Sequence, residues 1–170
     1  MMDFSLQILR TLHDEHLATI AVLERLEGLL QRQNEKSPPA DWASGDVAAL
    51  MNDLLPVLED EINHHYGFEE QHLFPRFAEY VDPGIPAMLQ EEHETIRPVA
   101  GRMVEIIRQS REAAPSGDTW VEFHRLGLEL VEREVFHIQK EEMGFLPALE
   151  QMMDPDDDPA LSMAYAEMKG

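Results

Sequence analysis

The sequence predicts an all-α protein, an up-down-up-down four-helix bundle with a short C-terminal helical tail, from three observations. Three clusters of helix breakers, at 34–45 (NEKSPPADWASG), 81–86 (VDPGIP) and 113–118 (AAPSGD), leave four long segments, about 3–33, 46–80, 84–112 and 118–152. Within those segments apolar residues recur every three or four positions, with none of the strict alternation of a half-buried strand. Four such segments joined by short connections must pack side by side to cover their apolar stripes.

The first segment carries Leu6, Leu9, His13, His16, Ile20 and Leu23 at spacings of 3, 4, 3, 4 and 3. In the second, Asp46 follows Ser44-Gly45 and is expected to cap the helix, and Leu58, Ile62 and His65 share one stripe. The third repeats the rhythm of the first with Leu89, His93, Ile96, Ala100, Met103 and Ile107. In the fourth, Asp118 follows Ser116-Gly117 as the expected cap, and Leu130 and His137 lie on one face. Pro56 and Pro98 fall inside helices and should kink them, while Pro75 and Pro147 should end or bend theirs. The chain thus divides into a bundle over 1–152 and an acidic tail over 153–170.

With 170 residues the chain is long enough for one domain with a substantial core. Its 13 Lys and Arg stand against 34 Asp and Glu, a net charge of −21, which argues against nucleic acid or an anionic membrane as partner. The 44% hydrophobic content is that of a folded protein, so the acidity does not signal disorder. The absence of Cys removes disulfides, thiolate metal sites and cysteine nucleophiles. There is no signal-peptide pattern and no apolar run near the ~18 residues of a membrane span, so a cytoplasmic location is expected.

The chemistry lies in an internal repeat. SGD at 44–46 returns at 116–118, and at the same offset of 72 residues His65 meets His137, Glu69-Glu70 meets Glu141-Glu142 and Pro75 meets Pro147. Asp14-Glu15-His16 likewise resembles Glu91-Glu92-His93. Each half brings one His on its first helix and His-x-x-x-Glu on its second, the latter one turn apart on one helix face. All four helices therefore turn a His toward the bundle axis, and two add a Glu. Buried carboxylates are costly unless paired or metal-bound, and four converging imidazoles have no partners in one another. A pair of divalent cations resolves both difficulties. If both carboxylates bridge, each ion receives two imidazole nitrogens and two carboxylate oxygens; a bridging oxide or hydroxide makes five ligands and leaves one open position. Mixed imidazole and carboxylate ligands suit iron, with zinc or manganese as substitutes, and open positions imply small-molecule binding rather than a structural site.

Other polar residues are weaker candidates. His13 shares the first stripe but has no counterpart in the third segment, His64 lies on the flank beside His65, and His124 is rotated off the His137 face. His72 lies close to one turn beyond Glu69 and can line the site, and Glu142 rivals Glu141 as the fourth-helix carboxylate. Glu61 and Glu134, one turn before His65 and His137, are expected to orient an imidazole. The ten Met residues read as core filler.

On DEH at 14–16, HYGFEEQHLFP at 65–75, EEHETI at 91–96 and HIQKEEMGFLP at 137–147, the chain resembles the hemerythrin-like family of HHE cation-binding domains over about residues 5–150. The resemblance implies a bundle around a non-haem, oxo- or hydroxo-bridged di-iron centre. It implies His16, His65, Glu69, His93, His137 and Glu141 as ligands, with the two Glu bridging. It also marks a departure: the oxygen carriers of the family have a second His one turn after the third-helix His, where this chain has Arg97. They also tend to place the fourth-helix carboxylate five residues after its His, the position of Glu142 here. Both features favour sensing, scavenging or storage, with O2, NO or iron itself as ligand, over simple oxygen carriage. The chain is expected to act as a monomer or homodimer.

Two other readings compete. A ferritin-like di-iron carboxylate oxidase or oxygenase needs Glu-x-x-His on two helices, and Glu61-x-x-His64, Glu69-x-x-His72 and Glu134-x-x-His137 have that spacing. It leaves His16 and His93 idle on core stripes. A non-metal interaction module facing a basic partner draws only on the charge of −21.

Overall fold

Every regular element of the described residues, 3–170 of this computed structural model, is helical. Helix α1 spans Gln7–Arg32, α2 runs over 45–80, α3 spans Gly84–Gln109, α4 runs over 117–152 and α5 spans Asp158–Lys169. The four long helices pack as a closed ring, α1 on α2, α2 on α3, α3 on α4 and α4 on α1, and α5 lies against α1 and α2. Gly127 lets α4 come close to α1, since a Cβ there would stand 2.6 Å from a methyl of Leu30.

The capping residues differ from those expected. Ser44 and Ser116 occupy the caps, and the Ser116 hydroxyl accepts from the Thr119 N–H, while Asp46 and Asp118 sit inside the first turn. From there a carboxylate still opposes the positive end of the helix dipole. Gly45, at φ 67°, makes the turn that a side chain would resist. At the start of α1 the cap residue is Leu6, whose side chain cannot accept a hydrogen bond. Its duty falls to distant acids: Asp158 accepts from the N–H groups of Gln7 and Ile8 at 2.7 and 2.9 Å, and Glu150 accepts from that of Ser5 at 2.7 Å.

The helices containing Pro75 and Pro147 do not end there. Each passes through a π turn, Glu69–Leu73 in α2 and Glu141–Phe145 in α4, and resumes as α-helix to Tyr80 and Met152. A proline has no N–H and its ring clashes with the carbonyl four residues back. The wider turn relieves both problems: the Phe74 N–H donates to the Glu69 carbonyl and the Leu146 N–H to the Glu141 carbonyl. A third π turn, Glu61–His65, precedes these in α2. All three lie where the polar residues gather, a common location for such turns.

The core is split in two. One apolar cluster joins Leu23, Leu26, Leu54, Trp120 and Phe123 at one end of the bundle; the other joins Leu9, Leu12, Phe68, Phe77 and Phe145 at the opposite end. The second includes Leu161 and Tyr165 of α5. Between the two lies a layer of His and Glu.

Candidate metal centre

That layer contains all six residues singled out by the repeat. His16, His65, Glu69, His93, His137 and Glu141 are buried, none more than 1% exposed. They form two overlapping groups, His16–His65–Glu69–Glu141 and His93–His137–Glu69–Glu141, whose donor atoms all lie within 4.8 Å of one another. Each Glu divides its oxygens between the groups. Glu69 sets Oε2 3.6 Å from His65 Nε2 and Oε1 3.3 Å from His93 Nε2. Glu141 sets Oε1 2.9 Å from His16 Nε2 and Oε2 3.4 Å from His137 Nε2.

These separations can accommodate cations. Two donors bound at about 2.1 Å to one ion stand about 3.0 Å apart at a right angle and about 3.4 Å apart in a tetrahedron. His93 Nε2 faces His137 Nε2 at 3.1 Å. With each Nδ1 proton committed elsewhere, two lone pairs oppose each other there unless a cation or an extra proton intervenes. His65 Nε2, both Glu69 oxygens and Glu141 Oε2 are buried without a hydrogen-bond partner. Such orphaned atoms are expensive in a dry interior, and they belong to the set a pair of cations would satisfy.

The outer nitrogens explain the orientation. Each Nδ1–H donates to a different carboxylate: His16 to Glu142 at 3.0 Å, His65 to Glu15 at 2.9 Å, His93 to Glu70 at 2.7 Å and His137 to Glu92 at 2.8 Å. Every helix supplies a carboxylate to the His of the next, α1 to α2, α2 to α3, α3 to α4 and α4 to α1. This arrangement fixes the tautomer and turns all four Nε2 atoms inward. Each carboxylate is held in turn by a group further out. His13 pairs with Glu142, Arg97 with Glu70 at 2.8 Å, Lys140 with Glu92, and Tyr165 and Lys169 with Glu15.

The roles expected of Glu61 and Glu134 are therefore corrected. Glu61 comes within 3.5 Å of His65 Nδ1, but the nearer acceptor is Glu15. Glu134 instead accepts the hydroxyl of Tyr66, whose ring stacks on His93 at 3.8 Å. Arg97 lies 5.5 Å over the other side chain of that stack, Tyr66, and turns its guanidinium to Glu70. Glu142 and His13 pair outside the two groups. His64 is bonded to Asp60 at the flank, His72 packs on Phe68, and His124 meets the Leu30 carbonyl. Two of the three Glu-x-x-His pairs thus place their His outside the cluster.

Without metal the site holds protons. Burial alone would lower the imidazoles, but Glu141 and Glu142 raise His16 to about 9, and neighbouring carboxylates raise His65, His93 and His137 as well. Burial alone would raise the Glu15 and Glu70 carboxyls, but hydrogen bonds, chiefly from His65 and from His93 and Arg97, hold both at about 2. Glu61, pushed up by burial, titrates at about 8.

Among known proteins, the family model for the hemerythrin HHE cation binding domain matches residues 7–149. A search of curated proteins finds no match to the chain. No helix of the described residues is long and apolar enough to cross a membrane. With most of its length matched, including all of α1 to α3, α4 as far as residue 149 and every residue of the buried His and Glu layer, the chain belongs to the hemerythrin HHE cation-binding domain family.

Proposed function

We propose that His16, His65, Glu69, His93, His137 and Glu141 hold two iron ions within an up-down-up-down bundle, with Glu69 and Glu141 bridging. The protein then serves as a sensor, scavenger or store whose ligand is O2, NO or iron itself. The observation that carries this reading is the division of each buried carboxylate between two imidazole pairs. Iron there supplies open coordination positions and a redox couple suited to a diatomic ligand.

The chain's own residues set the conditions. Six donors would offer each ion two nitrogens and two oxygens, fewer than an octahedral ion takes. Arg97 adds no donor, because a guanidinium has no lone pair to offer a cation, and it pairs with Glu70 instead. The carboxylates at Nδ1 keep the four Nε2 lone pairs directed inward. The aromatic rings of Tyr66 and Phe74 lie against His93, at 3.8 and 5.4 Å, and exclude water from that side. Burial of all six donors restricts access to small molecules.

Anaerobic ferrous titration followed by elemental analysis tests the reading. The expected result is two irons per chain, and a new near-ultraviolet absorption band on exposure to O2 or NO. A ratio below two, or spectra indifferent to both gases and to oxidation, refutes it. Zinc or manganese retained at two per chain with iron rejected would keep the site and replace the metal.

A further inference from the structure

The four carboxylates that orient the imidazoles are held alike but not by equivalent parts of the chain. His13, Arg97 and Lys140, which hold Glu142, Glu70 and Glu92, all lie within residues 7–149 matched by the family model. Among the described residues, the outer partners of Glu15 both come from α5, which lies beyond that match. The Tyr165 hydroxyl donates to Glu15 Oε1, the same oxygen that receives the His65 Nδ1–H, and Lys169 pairs with Glu15 Oε2. Tyr165 is buried, its ring 4.7 Å from that of Phe68 and 4.9 Å beneath the Lys169 ammonium. Lys169 also reaches Asp60 of α2 at 3.2 Å. At its other end α5 is tied down by Asp158, which caps α1, and by buried Leu161. The helix is a strap fastened at both ends, with its side chains directed at one carboxylate.

We infer that α5 is a working part of the centre: Tyr165 and Lys169 are positioning residues that fix Glu15 on His65 and so secure the ion held by His16 and His65, leaving the one held by His93 and His137 independent of the tail. The inference rests on the two-ion reading above. Glu15 has two oxygens and a rotatable stem. With both clamped it can accept the His65 proton in only one geometry, whereas a freed Glu15 turns to solvent and leaves the His65 Nδ1–H only the more distant Glu61, at 3.5 Å. Loss of such an outer partner typically weakens a metal site about 10- to 100-fold. The effect should fall on one ion because the His93 and His137 carboxylates have their own holders, Arg97 and Lys140.

The test uses the full-length chain loaded with Fe(II) under anaerobic conditions, and follows metal release to a ferrous chelator. Y165F/K169M is expected to release half its iron about tenfold faster than wild type and the other half at the wild-type rate. K169R alone should retain wild-type release, since it keeps the charge on Glu15, and K169M alone should not. In the metal-free chain, 15N spectra of the imidazoles should show the His65 signals moving in Y165F/K169M while those of His93 stay. Circular dichroism verifies that each variant is folded. Uniform acceleration of both halves, or no acceleration, overturns the inference while the two-ion reading stands. Wild-type protein that binds fewer than two irons overturns both.

Discussion

In metal-free protein, raising the pH from 6.5 to 9.5 should loosen the fold, and the size of the effect follows from His16. Its pKa is about 9 in the folded chain against 6.5 for an ordinary imidazole, so between these values the native state keeps a proton that the unfolded chain has released. Stability from this group is fully present below pH 6.5 and is lost as the pH climbs through 9. At about 1.4 kcal/mol for each tenfold gain in proton affinity, His16 alone accounts for about 3 kcal/mol. His65, His93 and His137 are raised too and act with the same sign. Glu61 reinforces the trend, because a carboxyl that prefers to stay neutral up to about 8 costs more as the pH rises from 4.5 through that value. For a domain of this size, about 3 kcal/mol corresponds to roughly 10 °C. Thermal denaturation of chelator-treated protein should therefore show Tm falling by about 10 °C or more across the range. In iron-loaded protein the metal holds the imidazoles neutral from the start, and the fall should shrink to the part that Glu61 contributes. A Tm that is flat or rising in the metal-free protein refutes the account of paired, proton-holding imidazoles.

Three substitutions probe other parts of the arrangement. Y66F removes the donor to Glu134, whose other oxygen already lacks a partner, and should cost about 1–3 kcal/mol in urea denaturation; an unchanged midpoint means that hydrogen bond contributes nothing. R97M frees Glu70 and should weaken the ion held by His93 and His137 about tenfold in chelator competition, with the other ion unaffected. Equal loss at both ions contradicts the independence of the two pairs. D158A strips α1 of its borrowed cap and α5 of one fastening, and should lower the stability of the metal-free chain by about 1 kcal/mol; an unchanged urea midpoint means that this cap contributes nothing.

Much of this is legible in the sequence because it is written as periodicity. The 72-residue repeat and the three-four spacing pick out which residues share an inward face, so the helical segments and the six residues of the buried layer follow from counting. What counting cannot supply is how neighbouring helices are rotated against each other. Glu15, Glu70, Glu92 and Glu142 sit one residue off the inward stripe, about 100° round the helix, where they face the next helix rather than the axis. Their signal is present in the doublets Glu69-Glu70 and Glu141-Glu142 and in the Glu preceding both His16 and His93. Glu61 and Glu134 look better placed because they lie one turn from a His on its own helix, but the nearest acceptors come from another helix. The π turns leave no such mark, because a proline shows that an α-helix is disturbed without showing whether the chain stops or widens. The docking of α5 on Glu15 joins residues about 150 positions apart, beyond the reach of any local pattern.

Iron-edge anomalous diffraction from crystals of the iron-loaded protein bears most directly on whether two cations sit in the His and Glu layer. Two peaks are expected between the apolar clusters, one beside His16 and His65 and the other beside His93 and His137, with Glu69 and Glu141 touching both. A single peak, or peaks at surface carboxylates with the inner layer vacant, contradicts the account.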